Sequence, residues 1–361
     1  MSKARYPLLD ILRAAAILLV VMHHFRNISG APKWFHWVFM RGYIGVDIFF
    51  VLSGYLIGAQ ALQSIRQQGN LDVRRFLLRR WLRTLPSYYT LMFAMLASGA
   101  VAPNRALVMG FSLQNYFAPQ DWLISWSLCV EEHFYLILPL LLFGMLRFIP
   151  SSMLTRDKLT VFCISCIAIS PIWRVVEYLS TPARTFDWYM YDLSVQTQFR
   201  LDGLALGVGL AAAKLWDTTV WKWLAQNATA LGWLGLALLT IPWHPWFSGT
   251  GSGIETRLMF LPAVIQPTIV SIATLLLIVA GVAKSRFSTF GIIGALFFSE
   301  LAYTLYLTHM EGLVLVRTIT RSHELPFLMA LPLACLVSIV WAMLLRKFVE
   351  IPGLKLRSKL A

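Results

Sequence analysis

An arginine and a histidine interrupt an otherwise apolar stretch near the amino terminus, LLDILRAAAILLVVMHHF at residues 8–25. Arg13 and His24 are eleven residues apart, which is about 1100° of α-helical rotation and within roughly 20° of three full turns. Both side chains therefore project from one face of a helix, about 16 Å apart along its axis. Such a face carries a fixed cation near the cytoplasm and a titratable imidazole deep toward the outer half of the membrane. The alternative is that Arg13 reaches the lipid headgroups and His24 is a packing residue with satisfied hydrogen bonds.

A carboxylate in the next apolar stretch, GYIGVDIFFVLSGYLIG at residues 42–58, is placed to assist this histidine. Asp47 should lie about as deep as His24 if the two helices run antiparallel. A carboxylate beside an imidazole fixes its tautomer and raises its basicity. Small residues keep one side of this helix thin, which permits close helix packing or passage of a ligand; they are Gly42, Gly45, Ser53, Gly54 and Gly58.

Two later stretches also place polar side chains in apolar surroundings. In SWSLCVEEHFYLILPLLL at residues 125–142, Glu131 and Tyr135 are i, i+4 neighbours on one helix face. Headgroup anchoring does not explain an acidic residue so far inside a predicted span. Near the carboxyl end, Tyr306 and His309 are i, i+3 neighbours, which indicates a polar cavity more than exposure to lipid.

Arg200 and Asp202 open another apolar stretch, FRLDGLALGVGL. Two interpretations are equally open for them. They form either an intrahelical charge pair at the rim of the membrane or a binding site for a polar acceptor.

A basic segment, LDVRRFLLRRWLRTLPSYY at residues 71–89, has arginines on one helix face and large apolar side chains on the other. The pattern predicts an amphipathic helix on the cytoplasmic membrane surface, ended by Pro86. Its simpler role is binding of anionic lipid, and its more specific role is to hold a phosphorylated cytoplasmic ligand.

The composition indicates that these residues lie on membrane-spanning helices. Of 361 residues, 58% are hydrophobic and 13% are charged, about half the charged fraction of a soluble domain. Apolar runs of membrane-spanning length recur throughout, so we expect one all-α, polytopic membrane domain over residues 1–361. The ten predicted spans are 8–28, 43–62, 86–101, 124–147, 159–178, 200–213, 228–243, 261–283, 299–317 and 327–346.

The distribution of charge sets the expected orientation. The net charge is +14. If both termini lie in the cytoplasm, every predicted cytoplasmic loop is basic, as the positive-inside rule requires. Because the spans leave no extramembrane basic domain, nucleic-acid binding is excluded. Cys163 and Cys166 form a C-x-x-C without a second ligand pair at zinc-like spacing, so we expect packing residues and no metal.

These segments together resemble the acyltransferase-3 family of integral-membrane acyltransferases, which includes bacterial O-antigen and exopolysaccharide O-acetyltransferases. The resemblance covers nearly the whole chain in family order and rests on LDILRAAAILLVVMHHF, GYIGVDIFFVLSGYLI, FLLRRWLRTLPSYY, SWSLCVEEHFYLILP, FRLDGLALG, LAYTLYLTH and FVEIPGLKLR. Two features depart from the family pattern. The doubled His23-His24 makes the histidine assignment depend on the ten-residue gap, and Ala302 stands where serine is common.

The resemblance implies a ten-span enzyme that takes an acyl group, usually acetyl, from cytoplasmic acyl-CoA to a hydroxyl of an acceptor, often an external glycan. The family's functional residues correspond to Arg13, His24, Asp47, Ser53, Gly54, Arg80, Arg83 and Glu131. Some relatives carry a carboxyl-terminal hydrolase-like domain; we expect none, because the chain ends at Ala361. The implied location is the bacterial cytoplasmic (inner) membrane, with lipid and a carbohydrate or other hydroxyl acceptor as partners.

The working hypothesis assigns each residue a role. Arg13, Arg80 and Arg83 hold the acyl-CoA phosphates, with Ser53 and Tyr135 also on the donor. His24, oriented by Asp47 or Glu131, acts as general base. The acceptor is bound by Arg200, Asp202, Tyr306 and His309.

Besides a scaffold or sensor with vestigial polar residues, two further alternatives remain open. One is a covalent acyl-enzyme on His24 or, less favourably, Ser53. The other is a proton-coupled secondary transporter of a small polar or glycolipid substrate, because intramembrane Asp, Glu, His and Arg also build proton relays.

Overall fold

The computed structural model describes residues 6–117, 122–148, 156–182, 185, 187–244, 247, 260–284, 292–323 and 325–360. The regular structure in these ranges is entirely helical, with no strand among them. The prediction of an all-α protein is thus confirmed. The side chains of Cys163 and Cys166 lie outside the described residues.

Each of the ten predicted spans coincides with a helix. The α-helices, in chain order, are α1 Pro7–Phe25, α2 Lys33–Phe39, α3 Ile44–Gln68, α4 Val73–Ala97, α5 Pro103–Gly110, α6 Gln114–Phe117, α7 Trp126–Phe148, α8 Arg156–Ser180, α9 Leu201–Leu215, α10 Thr219–Gln226, α11 Ala228–Thr240, α12 Gln266–Ala283, α13 Ile292–His323, α14 Phe327–Leu345 and α15 Ile351–Leu360. Single turns of 3₁₀ or π-helix occur at Leu123–Ser125, Trp188–Leu193, Thr197–Phe199, Ile241–Trp243, Leu261–Ile265 and Arg346–Glu350.

Several helices are long and apolar enough to cross a bilayer. Five qualify by length and composition among the described residues: Pro7–Phe25, Lys33–Gln68, Leu123–Phe148, Leu261–Ala283 and Phe327–Leu360. A sixth is obtained if Thr219–Gln226 and Ala228–Trp243, which meet at 79°, form one broken span. The polytopic class is therefore confirmed, whereas the number ten stays a prediction. Helix α9, with 15 residues, is shorter than a membrane span.

The chain forms two compact units. The first unit comprises Met1–Tyr6, Asp47–Leu77 and Val101–Phe287; the second comprises Pro7–Val46, Leu78–Ala100 and Ser288–Ala361. In the first unit, α9 packs against both α8 and α12, and α12 also packs against α11. In the second unit, α13 packs against both α1 and α14. The two units are interleaved along the sequence, so each assembles residues that are far apart in the chain.

The basic amphipathic segment does not end at Pro86. Helix α4 continues through this residue to Ala97, so that part of the prediction is wrong. A helix-internal proline leaves the carbonyl four residues earlier without its helical partner and crowds it. That carbonyl, Leu82 O, is next to Gly353 of α15, where an added Cβ would be only 2.6 Å away. The absence of a side chain at Gly353 gives the displaced carbonyl room, and the helix therefore continues.

The thin face of α3 is a packing surface. A Cβ added at Gly54 would lie 2.0 Å from the carbonyl oxygen of Leu204 in α9, and one at Gly207 would lie 2.3 Å from Val51 O. In the second unit, Gly42 and Gly45 approach α1 in the same way, against the carbonyls of Leu19 and Ala16. Close helix packing, one of the two roles considered for these glycines, is thus what the structure shows.

Replacing Gly54 with alanine is expected to destabilise the first unit by about 1–3 kcal/mol, because the new methyl group meets backbone that cannot rotate away. Thermal unfolding of the detergent-solubilised protein measures the effect. Gly144→Ala in α7 is the matched control, since a Cβ there meets nothing within 4 Å. A melting temperature for Gly54→Ala equal to that of the control would contradict this packing.

Candidate active site

The second unit joins α1 to α13 at both ends of the predicted polar face. Near the start of α1, Ser299 Oγ donates a hydrogen bond to Asp10 Oδ1 at 2.8 Å. Near its end, Nδ1 of His24 and Nε2 of His309 are 3.1 Å apart, with ring centroids separated by 4.9 Å. The two helices therefore run parallel, and α13 lines the face of α1 that carries its polar residues.

The histidine pair has a definite arrangement of protons. His309 Nδ1 lies 2.8 Å from the carbonyl oxygen of Tyr306 and 3.2 Å from that of Leu305, both acceptors only. Nδ1 of neutral His309 must therefore carry the proton, which leaves Nε2 as an acceptor. His24 Nδ1 faces that acceptor and also the Val20 carbonyl at 3.0 Å. The hydrogen-bond network thus assigns the proton of neutral His24 to Nδ1 as well.

This arrangement leaves Nε2 of His24 with a free lone pair. No described residue of the second unit donates a hydrogen bond to it, and His24 is only partly buried, whereas His309 is 0% exposed. A fixed imidazole with an unprotonated, reachable nitrogen can remove a proton from a hydroxyl. Within the second unit, the groups that face His24 Nδ1 are His309 and the Val20 carbonyl. The orienting role assigned to Asp47 or Glu131 stays a prediction.

The other end of the α1 face carries the arginine. Arg13 Nη1 is 4.0 Å from Asp10 Oδ1, one helical turn away, and Asp10 is the residue that bonds Ser299. The Arg13 side chain is 26% exposed, so its guanidinium is held by a carboxylate and still open to a ligand. This end of α1 is consequently cationic and ordered, as the hypothesis requires.

Helix α13 also connects this end to α4. Tyr303, one turn after Ser299, donates from its hydroxyl to Thr84 O at 2.6 Å. Thr84 is one residue from Arg83 and one turn from Arg80 in α4. Since one helical turn is about 5.4 Å, Arg80 and Arg83 belong to the same end of the second unit as Arg13.

The carboxyl-terminal segment adds charges that the sequence analysis did not single out. The guanidinium of Arg357 lies within electrostatic range of Arg79 and Arg80. The Glu350 carboxylate, 4% exposed, is similarly influenced by Arg83. The segment FVEIPGLKLR contributed only to the family resemblance. The charged residues Glu350 and Arg357 within it could have indicated these contacts. They build a cationic cluster of Arg79, Arg80, Arg83 and Arg357, with Glu350 beside it.

The first unit holds the predicted carboxylate Glu131 between two hydroxyl donors. Ser53 Oγ donates to Oε1 at 2.6 Å and Tyr135 OH donates to Oε2 at 2.8 Å. The structure thus brings together three predicted site residues from α3 and α7. Their individual roles stay predictions.

Two buried ion pairs occupy the first unit. Arg174, which the sequence analysis missed, lies 2.7 Å from Asp202, and Thr268 donates to the same carboxylate at 2.8 Å. Arg200 lies 3.4 Å from Asp47 and its guanidinium stacks over the Trp126 ring at 4.9 Å. Arg200 and Asp202 therefore each pair with a residue of another helix, and the simple intrahelical charge pair is wrong.

Tyr306 lies on α13, the same helix as His309. Its side chain is 7% exposed and its ring lies 5.9 Å from that of His309. The predicted polar cluster of Tyr306 and His309 is thus buried beside His24. The function of these two residues as an acceptor site stays a prediction. The contact between His309 and His24 was not predicted, because the two residues are far apart in the sequence.

Comparison with known proteins identifies the family of the chain and several relatives. A family model described as an acyltransferase domain matches residues 6–347. The chain is 28% identical over 218 residues to the peptidoglycan O-acetyltransferase OatA of Listeria monocytogenes, covering 53% of this chain and 33% of that protein. It is 35% identical over 157 residues to the putative peptidoglycan O-acetyltransferase YrhL of Bacillus subtilis, covering 38% and 23%.

A longer alignment links the chain to the O-acetyltransferase OatA of Staphylococcus aureus, with 25% identity over 387 positions, covering 98% of this chain and 58% of that protein. The chain thus matches 33%, 23% and 58% of the length of these three relatives. No solved structure matches the chain significantly.

Proposed function

The chain belongs to the acyltransferase-3 family, and from that premise we propose that it transfers an acetyl group from acetyl-CoA to a hydroxyl of a glycan. The observation that carries the proposal is the proton arrangement of the His24–His309 pair, in which Nε2 of His24 is the basic atom. The names of the relatives, all O-acetyltransferases, support the acetyl group and the hydroxyl acceptor.

In the proposed reaction the acceptor hydroxyl binds at His24 Nε2. Its proton moves to that nitrogen while its oxygen attacks the thioester carbonyl carbon, giving a tetrahedral adduct. The carbon–sulfur bond then breaks, and the imidazolium returns the proton to the departing thiolate. The products are the acetyl ester and free CoA. His309 Nε2 and Val20 O, both facing Nδ1, stabilise the positive charge while the proton resides on His24.

The donor's phosphates are assigned to the opposite end of the second unit. Arg13, Arg80 and Arg83, together with Arg357, supply guanidinium groups, which pair with phosphate through charge-assisted hydrogen bonds. The axial separation of Arg13 and His24, about 16 Å, is of the same order as the pantetheine arm of CoA. Phosphates at one end of α1 therefore leave the thioester beside His24 at the other.

The acceptor and the orientation form the finer part of the proposal. Two relatives are named peptidoglycan O-acetyltransferases, so a cell-envelope glycan is the acceptor class proposed here. Both termini are placed in the cytoplasm of a bacterial inner membrane, because that orientation makes the cytoplasmic loops basic. The arginine cluster then faces the cytoplasmic acyl-CoA pool and His24 lies toward the outer leaflet.

The test is thioester consumption coupled to glycan modification. Membranes containing the protein, given acetyl-CoA and extracted envelope glycan, are expected to release free CoA and to increase the glycan mass by one acetyl ester. Membranes lacking the protein are the control. Uptake of the glycan without loss of thioester would overturn the proposal in favour of transport.

Labelled donor separates direct transfer from a covalent route. With acetyl-labelled CoA and no acceptor, direct transfer leaves the protein unlabelled. Label on the protein would instead indicate an acyl-enzyme on His24 or on Ser53, whose hydroxyl is held at 2.6 Å by Glu131. Peptide mapping of the label distinguishes these two nucleophiles.

Replacing His309 with leucine is expected to lower kcat about 10–100-fold, a part of the rate that general-base catalysis supplies. The apolar side chain removes one of the two acceptors that face His24 Nδ1 and leaves only the Val20 carbonyl, so the reactive tautomer is held less strongly. His309→Asn restores an acceptor and should recover most of the loss, while KM for acetyl-CoA stays within about twofold in both variants. Steady-state kinetics with acetyl-CoA and glycan measure both constants. An equal loss of kcat in the leucine and asparagine variants would contradict this positioning role.

A further inference from the structure

Two arginines close to His24, Arg26 and Arg41, form no ion pair with any described residue of the second unit. Arg41 lies between α2 and α3 and is 2% exposed, and its Nε has no hydrogen-bond partner. Arg26 follows α1 by one residue; its Nη1 donates to His23 O, while its Nε is also buried without a partner. No described carboxylate of this unit forms an ion pair with either arginine.

These two charges also act on each other. The positive charge of Arg41 lies within electrostatic range of the partly buried Arg26 guanidinium. Removing a guanidinium from water is unfavourable unless an anion and hydrogen-bond acceptors replace the solvent, and buried charges in proteins are normally paired. The chain nevertheless holds two like charges together at one point. An anion supplied by a ligand would satisfy both.

We infer that Arg26 and Arg41 form a binding site for an acidic group, a carboxylate or phosphate, carried by the acceptor glycan. The inference rests on the proposed function and names the acceptor as acidic. Arg26 is two residues beyond His24, and its charge lies within electrostatic range of the His24 ring. The acidic group therefore belongs to the sugar that presents the reacting hydroxyl, or to its neighbour. Two guanidinium forks supply the directed donors that a carboxylate or phosphate requires.

The test is direct binding without the donor. The full chain in detergent micelles is titrated calorimetrically with an acceptor sugar bearing a carboxylate and with the same sugar converted to its neutral primary amide. The acid should bind at least tenfold more tightly, which is about 1.4 kcal/mol. Arg41→Gln and Arg26→Gln should each reduce this preference to less than about threefold, as expected for loss of a charge-assisted contact.

The control variant is Lys33→Gln, which removes one exposed positive charge from the segment between the two arginines and should keep the full preference. Because Arg26 is only partly buried, its variant remains informative if Arg41→Gln does not fold. Equal binding of the acid and the amide would overturn the inference. So would a preference that both arginine variants retain.

A lipid headgroup is the other source of the same chemistry. Adding phosphatidylglycerol to the micelles should leave the preference intact; its competitive loss would assign the arginines to lipid and overturn the inference. The outcome is separable from that of the proposed function. Acid-selective binding without any CoA release refutes acyl transfer alone, and CoA release with no acid selectivity refutes the anion site alone.

Discussion

Replacing His24 with alanine is expected to lower the rate of acyl transfer by about 10²–10⁴-fold, the range that general-base catalysis supplies. The variant lacks the only nitrogen to which the proposed reaction assigns the hydroxyl proton. Arg13 and the arginine cluster are untouched, so acetyl-CoA should still bind. Initial rates of CoA release from membranes with acetyl-CoA and glycan give the ratio, and immunoblotting of the membrane fraction confirms insertion.

The neighbouring histidine is a matched control. His23 has the same side chain one residue away, but its Nδ1 faces the Phe39 carbonyl at 3.1 Å and its ring lies against Tyr43. His23→Ala should therefore keep the rate within a few-fold. If His23→Ala loses the activity and His24→Ala retains it, the ten-residue gap to Arg13 has been assigned to the wrong histidine.

Replacing Arg174 with leucine is expected to destabilise the protein by about 3–5 kcal/mol, because it leaves the buried Asp202 carboxylate without its cation. The Arg174 and Asp202 side chains are only 1% and 3% exposed, and Arg174 also donates to the Phe199 carbonyl at 2.7 Å. Removing Arg174 therefore leaves the buried Asp202 carboxylate without its cation and the Phe199 carbonyl without this donor. Unfolding of the solubilised protein measures the loss.

An exposed ion pair provides the control. Lys222 and Asp217 are 3.3 Å apart with side chains 61% and 67% exposed, and Lys222→Leu should cost about 0–1 kcal/mol. In Arg174→Leu combined with Asp202→Leu, no charge is stranded, so much of the stability should return. Equal effects of Arg174→Leu and Lys222→Leu would contradict the conclusion that burial determines the difference.

The helices themselves were predictable because apolarity and length are local properties. Each predicted span coincides with a helix, and His24 lies on a face of α1 that contacts α13. The path of α4 through Pro86 was not predictable. It depends on Gly353, which lies far away in sequence and leaves space beside the Leu82 carbonyl.

The partners of the polar residues were harder to predict than the residues themselves. A charged residue inside a membrane span is a candidate functional residue because its insertion into hydrocarbon is energetically unfavourable. The local sequence does not show which of these residues contact each other. His309 was recognised without its contact to His24, and Asp202 without Arg174, because residues distant in the chain form both pairs. Arg174 was missed altogether, since a single arginine near a helix end resembles a headgroup anchor.

The most direct test of the central claim is a structure of the protein with a non-hydrolysable thioether analogue of acetyl-CoA, determined by cryo-electron microscopy. The predicted result has the phosphates among Arg13, Arg80 and Arg83 and the carbon that represents the acyl carbonyl next to His24 Nε2, with Nδ1 still on His309. An analogue whose phosphates lie elsewhere, or whose acyl carbon is separated from His24 by packed side chains, would contradict the proposed mechanism.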